Sequence, residues 1–217
     1  MDTVQFLNKR FIVTGLLVLV SVFLLGFFTQ TSQVNSIFQT LLVSITFFLV
    51  LPLLYCKIIL RESFQNIGWH RGRVLPGILA SILSLCLALA SIYAIDHYTS
   101  FREHYFFPGA VQASFLGFVL YEALLVPFTA LFYEVFFRGL VQRLWLGSLG
   151  VVSVLLQTGL FFGLLYLADD LSWQRIPVIL FAPFSGLIVY YSGSLWYAWG
   201  ASFLFFFLTD VFLLAVH

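Results

Sequence analysis

Long apolar runs alternate with short polar stretches along the whole chain. The runs fall at residues 11–29, 37–55, 74–95, 112–138, 150–167, 176–191 and 195–214. Most approach the ~20 residues a helix needs to cross the hydrocarbon core of a bilayer. The pattern predicts an all-α protein, a polytopic transmembrane helical bundle of about seven spans. Residues 1–217 are expected to form a single transmembrane domain. The first run follows Lys9 and Arg10, as a signal peptide would. It has spanning length, however, and no small-residue cleavage site follows it, so it is read as the first span. Pro76 stands in the first turn of the third run, where proline is tolerated. Only Ser192, Gly193 and Ser194 separate the last two runs.

Composition narrows the class. The chain is 62% apolar, 19% aromatic and only 9% charged. Soluble domains carry about 25% charged residues, so a soluble globule is excluded, and so is a disordered chain. Ten Lys and Arg against nine Asp and Glu leave a net charge of +1 and no basic patch for nucleic acid. The partner that composition demands is the lipid bilayer. Cys56 and Cys86 lie in or beside apolar runs without metal-type spacing, and both are read as packing residues.

The Lys/Arg bias sets orientation. With the N-terminus inside, the inside segments hold Lys9, Arg10, Lys57, Arg61, Arg71, Arg73, Arg138 and Arg143. The outside segments hold Arg102 and Arg175, with Asp96, Glu103, Asp169 and Asp170. A cytoplasmic N-terminus is therefore expected. The basic stretch 61–73 reads either as a cytoplasmic loop or as an interfacial segment touching anionic headgroups through Trp69. Gly159 and Gly163 form a GxxxG pair, the expected point of close helix packing. No internal repeat supports an inverted-repeat transporter.

Ionisable residues inside apolar helices are costly unless paired, so each is a functional candidate. Three stand out in the fourth run: Glu122, Glu134 and Arg138. Glu134 and Arg138 are spaced i, i+4 and share a helix face, which makes them a structural ion pair. Glu122 lies 11 residues before Tyr133, about 16 Å along an ideal helix. Pro127 lies between them and is expected to kink the helix. Glu122 has no evident partner in its own helix and reads as an intramembrane carboxyl.

The segment 133–144, Tyr-Glu-Val-Phe-Phe-Arg-Gly-Leu-Val-Gln-Arg-Leu, resembles the Glu-Glu-x-x-x-Arg-Gly-Leu motif of the CPBP family. That family holds CAAX prenyl proteases and bacterial Abi (bacteriocin-immunity) proteins. Residues 160–167 resemble its Phe-x-x-x-His segment, and 186–206 its stretch ending in His-x-x-x-Asn/Asp. Ile67-Gly68-Trp69 fits an apolar-Gly-apolar step before the third run. The likeness covers about residues 60–207. It implies a CPBP/Abi-like bundle, expected in the bacterial cytoplasmic membrane. In the family, the first Glu and the second motif's His activate water, and the third motif's residues help bind metal or form an oxyanion site. Here those positions are Tyr133, Tyr166, Ser202 and Phe206. Glu134 and Arg138 are retained. The histidines of the chain, His70, His97, His104 and His217, all lie outside the apolar runs.

Water activation needs a base or a metal, and a catalytic metal needs about three His, Asp, Glu or Cys ligands. The resemblance therefore implies a protease fold with a dismantled site and no cofactor. The leading expectation is a scaffold or regulatory subunit for a membrane-protein partner. The alternative is an active intramembrane metalloprotease with a rearranged site on Glu134, aided by Glu122 and Tyr166, holding Zn or another divalent metal. A second alternative is a small-ligand or transport role centred on Glu122. The span map also sets Glu134 near the cytoplasmic end of the fourth run and Tyr166 near the outer end of the fifth. For the two to share a cavity, either the fourth span runs deeper or residues 139–150 fold back into the membrane.

Overall fold

The structure is a computed structural model describing residues 45–61, 63–107, 111, 114–167 and 171–215, together with Ile12, Gly15, Leu16, Leu19 and Val20. The span expected at 11–29, the start of the second at 37–44, and Lys9, Arg10, Asp169, Asp170 and His217 lie outside or almost outside this set. The described residues are helical throughout their long elements. These are α1 (Ile45–Ile59), α2 (Val74–Tyr98), α3 (Phe115–Gln142, running on as Arg143–Leu149), α4 (Val152–Leu167), α5 (Trp173–Ser192) and α6 (Leu195–Ala215). Four of them, α2, α3, α5 and α6, are long and apolar enough to cross a membrane; α1 and α4 are shorter apolar helices. This is a helical membrane protein.

Local chemistry sets the ends. Ser114 caps α3 by accepting the Gly117 amide at 2.9 Å. Pro177 sits in the first turn of the α-helical part of α5, and Gly193 ends it in the left-handed conformation at φ +73°. Along α3, the turn Tyr121–Leu125 is widened to π geometry just before Pro127. A proline ring clashes with the carbonyl four residues back and supplies no amide, and the wide turn relieves both conflicts. A second π stretch, Glu134–Gln142, covers the motif segment. The helix runs on continuously past it, so residues 139–149 do not fold back into the bundle.

α5 is the central helix. It packs against α2, α4, α6 and the motif part of α3. Of its spanning window 44% is buried, against 17% for α2. α2 buries the small or slender residues Gly77, Ser84, Ala88 and Ile92, packs Ala80, Leu85 and Leu89 partly against the core, and leaves Leu75, Leu79 and Leu83 exposed. A Cβ on Gly77 would stand 2.6 Å from the Tyr197 ring of α6. By contrast, a Cβ on Gly159 or Gly163 would meet no described atom within 4 Å. The close helix approaches lie at Gly77 and at Gly186 of α5 instead. Cys56 is buried, whereas Cys86 is exposed on α2, so only the first is an interior packing residue.

The loops meet in two groups. Segment 66–73 docks on the 192–194 hairpin: Leu195 N donates to Gly68 O at 3.0 Å, Arg73 N to Ser192 O at 2.7 Å, and Ser194 Oγ to His70 O at 2.5 Å. Arg143 joins them through Asn66 O at 2.9 Å and Gly193 O. Trp69 packs edge-on against Trp196, with ring centres 5.0 Å apart. At the other end, Gln174 donates to His104 O at 3.1 Å, and His104 stacks on Trp173. Loops assigned to one side by the charge bias therefore do lie together. Arg138 is the exception: it is 3% exposed, inside α3, and does not belong among the loop charges.

Candidate functional site

A polar layer crosses the middle of the bundle. Glu134, Arg138 and Gln142 project from the π stretch of α3, all at most 3% exposed. Ser185 of α5 donates to both Glu134 oxygens, at 2.6 and 2.7 Å. Ser202 of α6 donates to Oε1 at 2.8 Å. Arg138 Nε stands 3.7 Å from Oε2, and its Nη2 donates to the Ala182 carbonyl at 3.0 Å. Gln157 of α4 reaches the same carbonyl at 3.0 Å, and Gln142 reaches Gly186 O at 2.7 Å. Gly186 leaves room for both glutamines: a Cβ there would stand 2.7 Å from Gln157 Nε2 and 3.2 Å from Gln142 Oε1. Four helices are thus tied through one carboxylate, one guanidinium and two backbone carbonyls. A charge buried in this way is tolerable because it is paired and hydrogen-bonded.

Beside this layer lies a cavity of about 120 Å³ between α3, α5 and α6. Its walls include Tyr105, Tyr121, Tyr133, Arg175, Phe206 and Asp210. Tyr133 and Phe206 therefore face one space, while Glu134, next along the chain from Tyr133, points away from it into the polar layer. The Tyr133 ring also packs against Phe48 and Phe161, at 5.5 and 5.1 Å between centres. Tyr166 joins neither group. It is 68% exposed on the outer face of α4, whose inward residues are Gln157, Phe161, Leu164 and Leu165.

Two more carboxyls stand near the cavity: Asp210, which lines it, and Glu122, which follows the lining residue Tyr121. Glu122, on the wide turn of α3, is 4% exposed, and Asp210 of α6 is equally buried. Tyr105 Oη donates to Asp210 Oδ1 at 2.7 Å. Burial, and then the neighbouring Asp210, push the Tyr105 phenol well above its ordinary range, so it stays a donor.

Sequence reasoning singled out Glu134, Arg138, Ser202 and Glu122 and missed Asp210, Gln142, Gln157 and Ser185. Asp210 was visible by the same rule that marked Glu122: it is a carboxylate within an apolar run. Gln142 continues the 134, 138 spacing by four and was legible on that ground. Nothing in the pattern marked Gln157 or Ser185 above other polar residues.

Residues 112–208 match the family model described as Type II CAAX prenyl endopeptidase Rce1-like. Across that segment the chain is similar to the Rce1-like family. The match spans α3, α4, α5 and most of α6, the helices that build the polar layer and the cavity. No curated protein and no solved structure matched the chain. The catalytic divalent metal implied by the family's protease chemistry needs about three His, Cys, Asp or Glu ligands. Among the described residues no three such side chains come together in a metal-holding arrangement. The polar layer offers one carboxylate with hydroxyl and amide partners, and Glu122 and Asp210 offer two carboxyls. These residues do not fit a catalytic divalent metal.

Proposed function

We propose that this Rce1-like chain is a catalytically degenerate member of its family that serves as a scaffold or regulatory subunit for a membrane-protein partner. The observation that carries the reading is the division between cavity and carboxylate. The motif positions that face the cavity are a phenol, Tyr133, and a phenyl, Phe206. The retained carboxylate, Glu134, faces away and is held by Ser185, Ser202 and Arg138 at 2% exposure. A general base must lie within hydrogen-bond reach of the proton it takes. Burial keeps Glu134 from a cavity water, and a phenol of pKa about 10 is a poor base at neutral pH. The exposed Tyr166 contributes to neither space.

The polar layer suits a structural task. It fixes the register of four helices and so the shape of the lipid-facing surface on which a second membrane protein would pack. Purified gently from its native membrane, the protein is expected to carry a stoichiometric membrane-protein partner. A consistently solitary protein overturns the scaffold reading. Metal-dependent cleavage of a prenylated CAAX peptide, abolished by Glu134→Gln, would establish an intramembrane metallo-endopeptidase on Glu134 instead.

A further inference from the structure

The Glu122–Asp210 pair is not used by the polar layer, and its geometry stands apart from the scaffold reading. The two side chains face each other across the α3–α6 contact. Neither Glu122 oxygen meets a hydrogen-bond donor among the described residues, although both are buried. Two ionised carboxylates are acceptors only, so nothing bonds them unless a proton or a cation sits between. Two like charges close together in a low-dielectric interior repel, and a positive charge between them removes the repulsion. A buried carboxyl without a donor, set beside a second carboxyl, is where one positive charge would be stabilised.

The surroundings agree. Among the described residues, the titratable groups that act on the pair are Tyr105 and Tyr121, and Arg175 acts on Tyr121 from the α5 end. Tyr105 satisfies one Asp210 oxygen. Asp210, Tyr105 and Tyr121 line the cavity, which has room for several waters, and Arg175 and Gln174 stand at its loop end. Hydroxyl and carboxyl oxygens with few waters suit a proton or a small hard cation. Two carboxyls carry enough charge for one monovalent ion and too few ligands for a catalytic divalent one.

We infer that Glu122 and Asp210 form an intramembrane site for one monovalent cation, a proton or a sodium ion, reached through the tyrosine-lined cavity. The test uses the full chain in nanodiscs. Thermal unfolding is followed against NaCl, with choline chloride at equal ionic strength as control, and against pH at fixed salt. A ligand that binds only the folded state raises Tm as its concentration passes Kd. A sodium site predicts a Tm that rises with NaCl but not with choline. A proton site predicts no sodium effect and an infrared carbonyl band of a protonated carboxyl, lost in Glu122→Gln and in Asp210→Asn. Asp210→Asn keeps an oxygen for Tyr105, and the infrared spectrum of the unaltered chain needs no variant to fold. The inference is overturned if the unaltered chain shows neither sodium-dependent Tm nor a protonated-carboxyl band. It is overturned equally if either response persists undiminished in both variants.

Discussion

At the residue scale the central fact is that Glu134 and Arg138 depend on each other. Removing one partner of a buried pair strands the other charge, at about 3–5 kcal/mol. Arg138→Met is therefore expected to lower stability by that amount, measured by thermal or denaturant unfolding in detergent. Glu134→Gln combined with Arg138→Met is expected to cost less than Arg138→Met alone, because no bare charge is left. Ser185→Ala removes a hydroxyl donor to a carboxylate, and hydrogen bonds to charged groups contribute about 1.5–3 kcal/mol. Ser202→Ala removes a single bond to the same carboxylate and should fall at the lower end. The i, i+4 relation of Glu134 and Arg138 was legible because helix geometry alone fixes it. The hydroxyls that complete the site were not, because they come from α5 and α6, 51 and 68 positions away. A sequence pattern records neighbours on one helix and is silent on which helices meet.

At the element scale the glycines separate close packing from lipid-facing surface. The GxxxG spacing of Gly159 and Gly163 is a local signal, and local spacing does not say which face of α4 meets a neighbour. α4 turns Gln157, Phe161 and Leu164 inward. Gly159→Ala and Gly163→Ala are expected to be neutral or to gain up to about 1 kcal/mol from helix propensity. Gly77→Leu drives a branched side chain into the Tyr197 ring and should destabilise the α2–α6 contact strongly. Gly72→Ala is costly for another reason: φ is +59°, and the added carbon would collide with the Ser192 carbonyl. The same unfolding measurement ranks the four variants. Element boundaries were close to the apolar runs where polar loops bracket them, as at α2 and α6. The fourth run extended further than expected, to Gln142, because Arg138 and Gln142 are buried by partners that the pattern does not display.

At the scale of the molecule, the loop contacts give a topology test. The 66–73 loop, Arg143 and the 192–194 hairpin share one side, while 101–104 and 173–175 share the other. Arg71 and Glu103 are exposed on opposite ends. With Cys56 and Cys86 changed to serine, Arg71→Cys and Glu103→Cys are expected to react with an impermeant thiol reagent from opposite faces of the membrane. The Lys/Arg bias predicts Arg71→Cys on the cytoplasmic face. Labelling of both from one face would contradict the helix arrangement; labelling of Arg71→Cys from outside would reverse only the orientation.

The latch between the 66–73 loop and the 192–194 hairpin also has a consequence in time. His70 and Ser194 are 124 positions apart in the chain. At roughly 5–20 residues per second of synthesis, the loop waits on the order of ten seconds before its partner exists. During that interval the carbonyls of Gly68 and His70 are open to water and headgroups. The first helices can enter the bilayer early, but the bundle closes only when its last hairpin arrives. A ribosome that stalls before residue 190 would leave an inserted but unlatched chain, distinguishable from the finished one by protease access to that loop.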